Sequence, residues 1–150
     1  MPIALLAITV VIVDQWTKYY VQNNMVLGTS IPVIADIFHL TYILNPGAAF
    51  GILENQRYFF VIIAVVMIGA VAFLYHRIAL QPLVLRLGVG LLSGGAVGNG
   101  IDRINTGYVV DFFDFRIWPI FNIADIAIVC GVGCIIYTLL FIPEVKDEAD

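Results

Sequence analysis

Apolar residues fill four long runs of the chain, and the polar residues gather between them. The runs cover residues 3–21, 58–75, 83–101 and 123–142, and the second carries no charged residue at all. A helix needs about 20 apolar residues to cross the hydrocarbon of a bilayer. The pattern therefore predicts four membrane-spanning helices.

The first two runs are separated by residues 22–57, which are too polar and too broken to cross a bilayer. Within them, apolar and polar positions largely alternate along FHLTYIL at 38–44. Alternation with a period of two predicts a strand, here lying at the membrane surface. Asn45, Pro46 and Gly47 follow and predict a turn, whereas the link at 76–82 between the second and third runs is short.

The amino-acid composition supports the prediction of a membrane protein. Hydrophobic residues make up 61% of the chain and charged residues 12%, against about 45–50% apolar content in a soluble domain. We expect one integral membrane domain spanning residues 1–150, with a retained first span rather than a removed signal peptide. The net charge of −4 owes much to the acidic C-terminal segment, and no basic patch suggests a nucleic-acid partner.

Small residues in the runs predict helix packing. Gly90, Gly94 and Gly98 recur every four residues, a spacing that lets membrane helices approach closely. Because the same spacing serves packing within one chain and between chains, oligomeric state stays open. Cys130 and Cys134 lack the spacing of a zinc or redox site and are expected to pack in their helix.

Polar residues inside the runs lie near the ends that four spans would bring to one side of the membrane. Polar groups close to hydrocarbon are costly and usually mark function. Convergence of several segments therefore predicts a functional site on that face. Its candidates are Asp14, Lys18, Asn45, Gly47, Asn99, Asp102, Arg103, Asp111, Asn122 and Asp125.

The residue inventory disfavours several mechanisms. There is no HExxH motif, and His39 and His76 fall on opposite sides of the membrane in this topology, which disfavours a zinc protease. There is no GxSxG motif, and Ser93 has no histidine near it in sequence, which disfavours a serine nucleophile. Paired carboxylates remain as the reactive groups.

Two neighbouring aspartates that share one proton can activate a water and hydrogen-bond a scissile carbonyl, and they need no metal or cofactor. Asp111 and Asp125 are the natural pair, because Pro119 between them can turn the chain back. Asp114 is the competitor, although it is expected to pair with Arg116. Two further charge pairs, Asp14 with Lys18 and Asp102 with Arg103, are expected to be compensated and structural.

Two other classes of protein stay open on this reasoning. A small proton- or ion-coupled carrier also places Asp and Lys in the membrane, but its groups must reach both sides, whereas these cluster at one. A structural membrane subunit would explain the glycines but not the converging acids.

Five segments of the chain, in their order and spacing, resemble the signature segments of the bacterial lipoprotein signal peptidase family, signal peptidase II. The resemblance extends over nearly the whole chain. The segments are DQWTK at 14–18, NPGAAFG at 45–51, GNGIDR at 98–103, VVDF at 109–112 and FNIAD at 121–125.

The resemblance implies an all-α membrane protein: a four-helix transmembrane bundle with a small extracytoplasmic β-cradle and a surface helix over the site. It implies Asp111 and Asp125 as the catalytic aspartates. The matching substrate-binding or supporting residues are Asp14, Lys18, Asn45, Gly47, Asn99, Arg103 and Asn122.

The implied reaction is removal of the signal peptide from a lipid-modified prolipoprotein, just before the diacylglyceryl-cysteine, in contact with membrane lipid. The site would face the outer side of the cytoplasmic membrane, with both termini inside. The distribution of basic residues does not support that orientation, which therefore depends on the resemblance. Three would be cytoplasmic against four outside: Arg77, Arg86 and Lys146 against Lys18, Arg57, Arg103 and Arg116.

Overall fold

The computed structural model describes residues 2–47 and 52–142, and each of the four apolar runs is largely helical. The elements in chain order are α1 (Pro2–Asn24), β1 (Ser30–Ile34), β2 (Phe38–Asn45), α2 (Arg57–Phe73), α3 (Tyr75–Ala79), α4 (Leu83–Asn105), β3 (Val109–Asp114) and α5 (Ile123–Phe141). The fold is mostly helical, with one small sheet.

Two of these helices, α4 and α5, are long and apolar enough to cross a membrane. The second predicted run is not a single helix, since α2 ends at Phe73 after 17 residues and α3 starts at Tyr75. This break places a short helix where a plain link was expected. In α1, which has 23 residues, Asp14 and Lys18 make the second half more polar than the first.

The three strands form one antiparallel sheet in the order β1-β2-β3. The alternation at 38–44 correctly predicted β2. In the β2–β3 register, Ile43 lies opposite Asp111 and Asn45 lies opposite Val109, so the end of β2 comes beside the start of β3. The expected surface helix is absent from residues 25–47 and 52–56, and residues 48–51 lie outside the described part of the chain.

Glycines let α4 pack closely against α1, as the four-residue spacing predicted. A Cβ on Gly94 would lie 2.7 Å from the Val10 Cβ, and one on Gly98 would lie 2.5 Å from an Asp14 carboxylate oxygen. A third glycine, Gly90, faces Ile3 and Leu6 of α1, while α5 packs against other positions of α4.

Many buried side chains are polar or charged and much of the surface is apolar, which differs from a water-soluble fold. Asp14 and Asn122 are 0% exposed, whereas Leu5 is 68% and Phe73 86% exposed. Such an arrangement is typical of a chain surrounded by lipid, which solvates apolar side chains and drives polar groups inward.

Candidate active site

A cavity of about 220 Å³ opens where the end of α4, the start of α5 and the strands β2 and β3 meet. It contains both aspartates of the predicted pair. Its lining residues are Asn45, Gly47, Asn99, Arg103, Val109, Asp111, Trp118, Pro119, Ile120, Phe121, Asp125, Ile128 and Val129.

Asp111 enters the cavity from β3 and is 1% exposed. Its two oxygens accept hydrogen bonds from side-chain amides, one from Asn45 Nδ2 at 2.9 Å and one from Asn122 Nδ2 at 2.7 Å. Burial, followed by the negative charge of Asp125, raises the pKa of Asp111 from its usual value to about 7. This carboxyl can therefore carry a proton near neutral pH.

Asp125 lies in the first turn of α5 and is half-buried. One oxygen accepts from Asn99 Nδ2 at 2.8 Å and the other from the backbone N–H of Asn122 at 3.1 Å. The Asn122 side chain in turn accepts from the Asp125 backbone N–H, so the two residues form a capping box. These hydrogen bonds hold the Asp125 carboxyl at the start of α5.

Asn122 connects the two acids. It is 0% exposed, and its amide nitrogen donates to Asp111 while its backbone nitrogen donates to Asp125. The same amide nitrogen lies 3.1 Å from Asn99 Oδ1 and 3.2 Å from the Val110 carbonyl. Every polar atom of this side chain is thus engaged within the site.

A buried cluster of charged residues, Lys18, Asp14 and Asp102, lies beside the site. Lys18 Nζ lies 2.8 Å from Asp14 and 2.9 Å from Asp102, and it donates to Asn99 Oδ1 at 2.9 Å. Because Lys18 can only donate, Asn99 must turn its carbonyl toward Lys18 and its NH₂ group toward Asp125. The cluster therefore fixes the orientation of a hydrogen-bond donor to Asp125, and thus to the dyad formed by Asp111 and Asp125.

One predicted charge pair is wrong. Asp102 forms its ion pair with Lys18 of α1, not with Arg103 beside it, because adjacent residues on a helix point in different directions. Arg103 instead donates to the Gly47 carbonyl at 2.9 Å and stacks over Phe60, with its guanidinium carbon 4.4 Å from the ring centre.

The predicted turn after β2 is formed. The Gly47 N–H donates to Asn45 Oδ1 at 2.9 Å. A Cβ on Gly47 would lie 2.7 Å from the Ile52 carbonyl oxygen, so a side chain there would force this backbone apart. The turn holds Asn45 with its amide nitrogen directed at Asp111.

Gln15 is a residue of the cluster that the sequence reasoning missed. Its amide nitrogen donates to Asp102 at 2.9 Å, to the Gly98 carbonyl at 3.1 Å and to Asp14 at 3.2 Å. The available signal was its position beside Asp14 in the polar part of α1. Nothing in local spacing shows that it reaches α4.

Asp114 lies apart from the dyad and does not line the cavity. It pairs with Arg116 at 2.9 Å, as expected, and also accepts from Thr41 Oγ1 at 2.7 Å. Within residues 2–47 and 52–142, no group of three His, Cys, Asp or Glu side chains is placed to hold a metal ion.

Comparison with known proteins gives one family. The family described as Signal peptidase (SPase) II matches residues 6–141. The chain is 48% identical over 140 residues to the lipoprotein signal peptidase of Moorella thermoacetica, covering 93% of each chain. It is 52% identical over 135 residues to that of Brevibacillus brevis, covering 88% of this chain and 90% of the relative.

Two solved structures have the same fold. Both are described as bacterial membrane enzyme structures obtained by the in meso method. The one at 2.3 Å resolution superposes with a TM-score of 0.87 and 41% identity, over 97% of this chain and 92% of the other. The one at 1.9 Å superposes with a TM-score of 0.82 and 42% identity, over 93% and 92% of the two chains.

Proposed function

The chain belongs to the signal peptidase II family of membrane proteases, and on that premise we propose that it removes the signal peptide from diacylglyceryl-modified prolipoproteins, cutting just before the lipidated cysteine. The observation that carries the proposal is the placement of Asp111 and Asp125 on one cavity, connected through Asn122. An aspartic protease uses two carboxyl groups in different environments as its catalytic groups.

The two acids take different roles in this mechanism. Asp125, which is oriented by two N–H donors at the start of α5, accepts a proton from water, and the water oxygen attacks the carbonyl carbon before the cysteine. Asp111, protonated, donates a hydrogen bond to that carbonyl oxygen. The tetrahedral intermediate then breaks its C–N bond as the departing nitrogen receives a proton from the pair.

The surrounding residues act by orienting the pair and shaping the cavity. Asn45 and Asn122 hold the Asp111 carboxyl, and Asn99, fixed by Lys18, holds Asp125. Through Gly47, Arg103 ties the turn after β2 to the end of α4. Asp14 balances the charge of Lys18, so that a lysine can be buried beside the dyad.

The substrate's lipid would lie in an apolar groove of about 320 Å³ beside α5. Trp118, Phe121 and Asp125 line both this groove and the catalytic cavity. A single substrate can therefore place acyl chains against apolar side chains, in contact with membrane lipid, while its peptide bond reaches the dyad.

The placement in the membrane is part of the proposal. Residues 1–150 would form one integral domain in which α1, α2 with α3, α4 and α5 cross the cytoplasmic membrane as a four-helix bundle. The sheet and the dyad lie at the same end of the helices. We place that end on the extracytoplasmic side, where the signal peptide's cleavage site emerges.

The proposal is tested by Asp111→Asn and Asp125→Asn, assayed on a lipidated precursor in detergent. Each should lower cleavage by at least about 10²–10⁴-fold, because each removes one acid–base group, while binding of the precursor persists. Asp36→Asn, an exposed aspartate in the β1–β2 turn, makes the same chemical change away from the site and should cleave normally. Near-normal cleavage by either dyad variant would remove that aspartate from the catalytic role.

A further inference from the structure

The segment between β3 and α5 forms one wall of the catalytic cavity. Trp118, Pro119, Ile120 and Phe121 all line the cavity from this segment. Trp118 and Phe121 also line the apolar groove beside α5. The backbone conformation of this segment therefore determines the shape of the boundary between the catalytic cavity and the apolar groove, where the peptide and lipid parts of a substrate would meet.

The segment begins with a backbone conformation that a residue with a side chain rarely adopts. Arg116 has φ of 65°, in the left-handed region, where a Cβ crowds the following carbonyl. The next amide, that of Ile117, donates to the Phe115 carbonyl at 2.8 Å and tightens the turn. Such strain persists only where surrounding contacts hold it, and it is frequent at functional sites.

Asp114 supplies those contacts. One oxygen accepts from the Arg116 backbone N–H at 2.8 Å, and the other accepts from Arg116 Nη1 at 2.9 Å and from Thr41 Oγ1 at 2.7 Å. Asp114 is 4% exposed. Asp114 thus binds both the backbone and the side chain of Arg116 and connects them to Thr41 of β2.

The direction of these hydrogen bonds is determined by the charge of Asp114. Burial opposes ionisation, but the hydrogen bonds from Thr41 and Arg116 outweigh it and hold the pKa of Asp114 below its usual value. An ionised carboxylate only accepts, so the Thr41 hydroxyl must donate to it. Thr41 is then an acceptor for Ser30 Oγ, which lies 2.7 Å away, and the anchor extends to β1.

We propose that Asp114 is a positioning residue for substrate binding, which with Thr41 and Arg116 forms a clasp that holds the left-handed turn and so sets Trp118 on the wall shared by the catalytic cavity and the apolar groove. The inference rests on the proposed function. The clasp touches neither Asp111 nor Asp125, so its loss should change how substrate is held more than how the bond is broken.

The first test is Asp114→Asn in the full-length protein, with kcat and KM measured on a lipidated precursor. An Asn keeps the size of the side chain but offers one acceptor in place of two. We expect KM to rise about tenfold with kcat within about twofold, the signature of lost binding rather than lost chemistry. Asp36→Asn, which removes a charge from the same sheet outside the clasp, should leave both constants unchanged.

Thr41→Val provides a milder variant, since it removes one hydroxyl and keeps the shape of the side chain. Its KM should rise by less than that of Asp114→Asn. A merely structural role would reduce the amount of folded enzyme, which lowers apparent kcat and leaves KM unchanged. That pattern in Thr41→Val and Asp114→Asn would overturn the proposal.

A double-mutant cycle tests the turn itself. Glycine adopts the left-handed region without strain, so in an Arg116→Gly background the turn no longer depends on Asp114. The effect of Asp114→Asn on KM should therefore be several-fold smaller in that background. If Asp114→Asn changed KM equally in both backgrounds, the proposed clasp would be overturned.

The parent activity separates the two proposals. If the unmodified protein fails to cleave the lipidated precursor, the proposed function fails. If it cleaves, and Asp111→Asn abolishes cleavage while Asp114→Asn leaves KM unchanged, only the clasp fails.

Discussion

At the scale of single residues, the site separates two chemically identical carboxyl groups by their surroundings. Asp111 is buried, with two side-chain amides as its donors, whereas Asp125 has a backbone N–H, an amide and the positive end of a helix. Burial penalises charge. Together with the nearby negative charge of Asp125, it raises the pKa of Asp111 to about 7, and in the proposed mechanism Asp111 therefore carries the proton.

This division predicts a loss of activity in alkaline solution. With its pKa raised to about 7, Asp111 is protonated below that pH and ionised above it. If its proton must contact the substrate carbonyl, kcat/KM falls as pH rises above about 7, approaching a tenfold loss per unit. A profile from pH 5 to 9 on a lipidated precursor measures this alkaline limb, whose midpoint belongs to the coupled pair.

Asn45→Ala provides a directional control on that profile. The hydrogen bond from Asn45 lowers the Asp111 pKa, so its removal should move the alkaline limb to higher pH. A limb that stays fixed, or moves to lower pH, would show that it reports some other group.

Sequence could supply the residues of the site but not all of their pairings. Asn122 and Asp125 are three apart, and a local motif predicts that they share a helix face. Lys18 and Asp102, or Gln15 and Gly98, are brought together only by the packing of α1 on α4. No spacing along the chain encodes that contact, so Asp102 was assigned to its neighbour in sequence.

At the scale of elements, burial decides which strands were predictable. β2 alternates between apolar and polar positions and was predicted. β3 has nearly every residue buried, so its pattern lacks the alternation of a strand with one solvent-facing side. β1 has every residue exposed, so no buried face marks it either.

The contact between α4 and α5 predicts a position-specific cost for a single methyl group. A Cβ on Gly131 would lie 2.7 Å from the Gly88 carbonyl and 2.7 Å from the Leu92 nitrogen, whereas one on Gly133 meets nothing within 4 Å. Gly131→Ala should destabilise the fold by about 1–3 kcal/mol through overpacking. Thermal unfolding in detergent measures the difference.

Gly133→Ala is the matched control in the same helix. It adds the same methyl group in open space, where alanine favours the helix over glycine by about 0.8–1.0 kcal/mol. It should be neutral or slightly stabilising. If the two variants unfold at the same temperature, the close approach of α4 and α5 is not supported.

At the scale of the whole molecule, the hydropathy pattern determines most of the architecture. Four apolar runs, polar at one set of ends, give helices whose polar groups meet at one face. The pattern did not show the break between Phe73 and Tyr75, because apolar residues continue without interruption through it. It also left the orientation of the chain undetermined.

The proposed orientation predicts the accessibility of the two ends. After replacement of Cys130 and Cys134 by Ala, the exposed positions Asp36 and Gln81 are each changed to Cys in separate variants. In sealed spheroplasts, a membrane-impermeant maleimide should label Asp36→Cys at once and Gln81→Cys only after permeabilisation. The cysteine-free protein is the background control, and the opposite labelling order would reverse the topology.

Asn122 has a pharmacological consequence. Its side chain is hydrogen-bonded to Asp111, Asn99 and the first turn of α5, so the protein's own hydrogen bonds hold the groups that would contact a gem-diol or hydroxyl inhibitor in the proposed mechanism. An inhibitor held rigidly in the tetrahedral shape would then lose little affinity to rearrangement of the enzyme. Making such a compound more rigid should therefore increase its affinity more than making it larger.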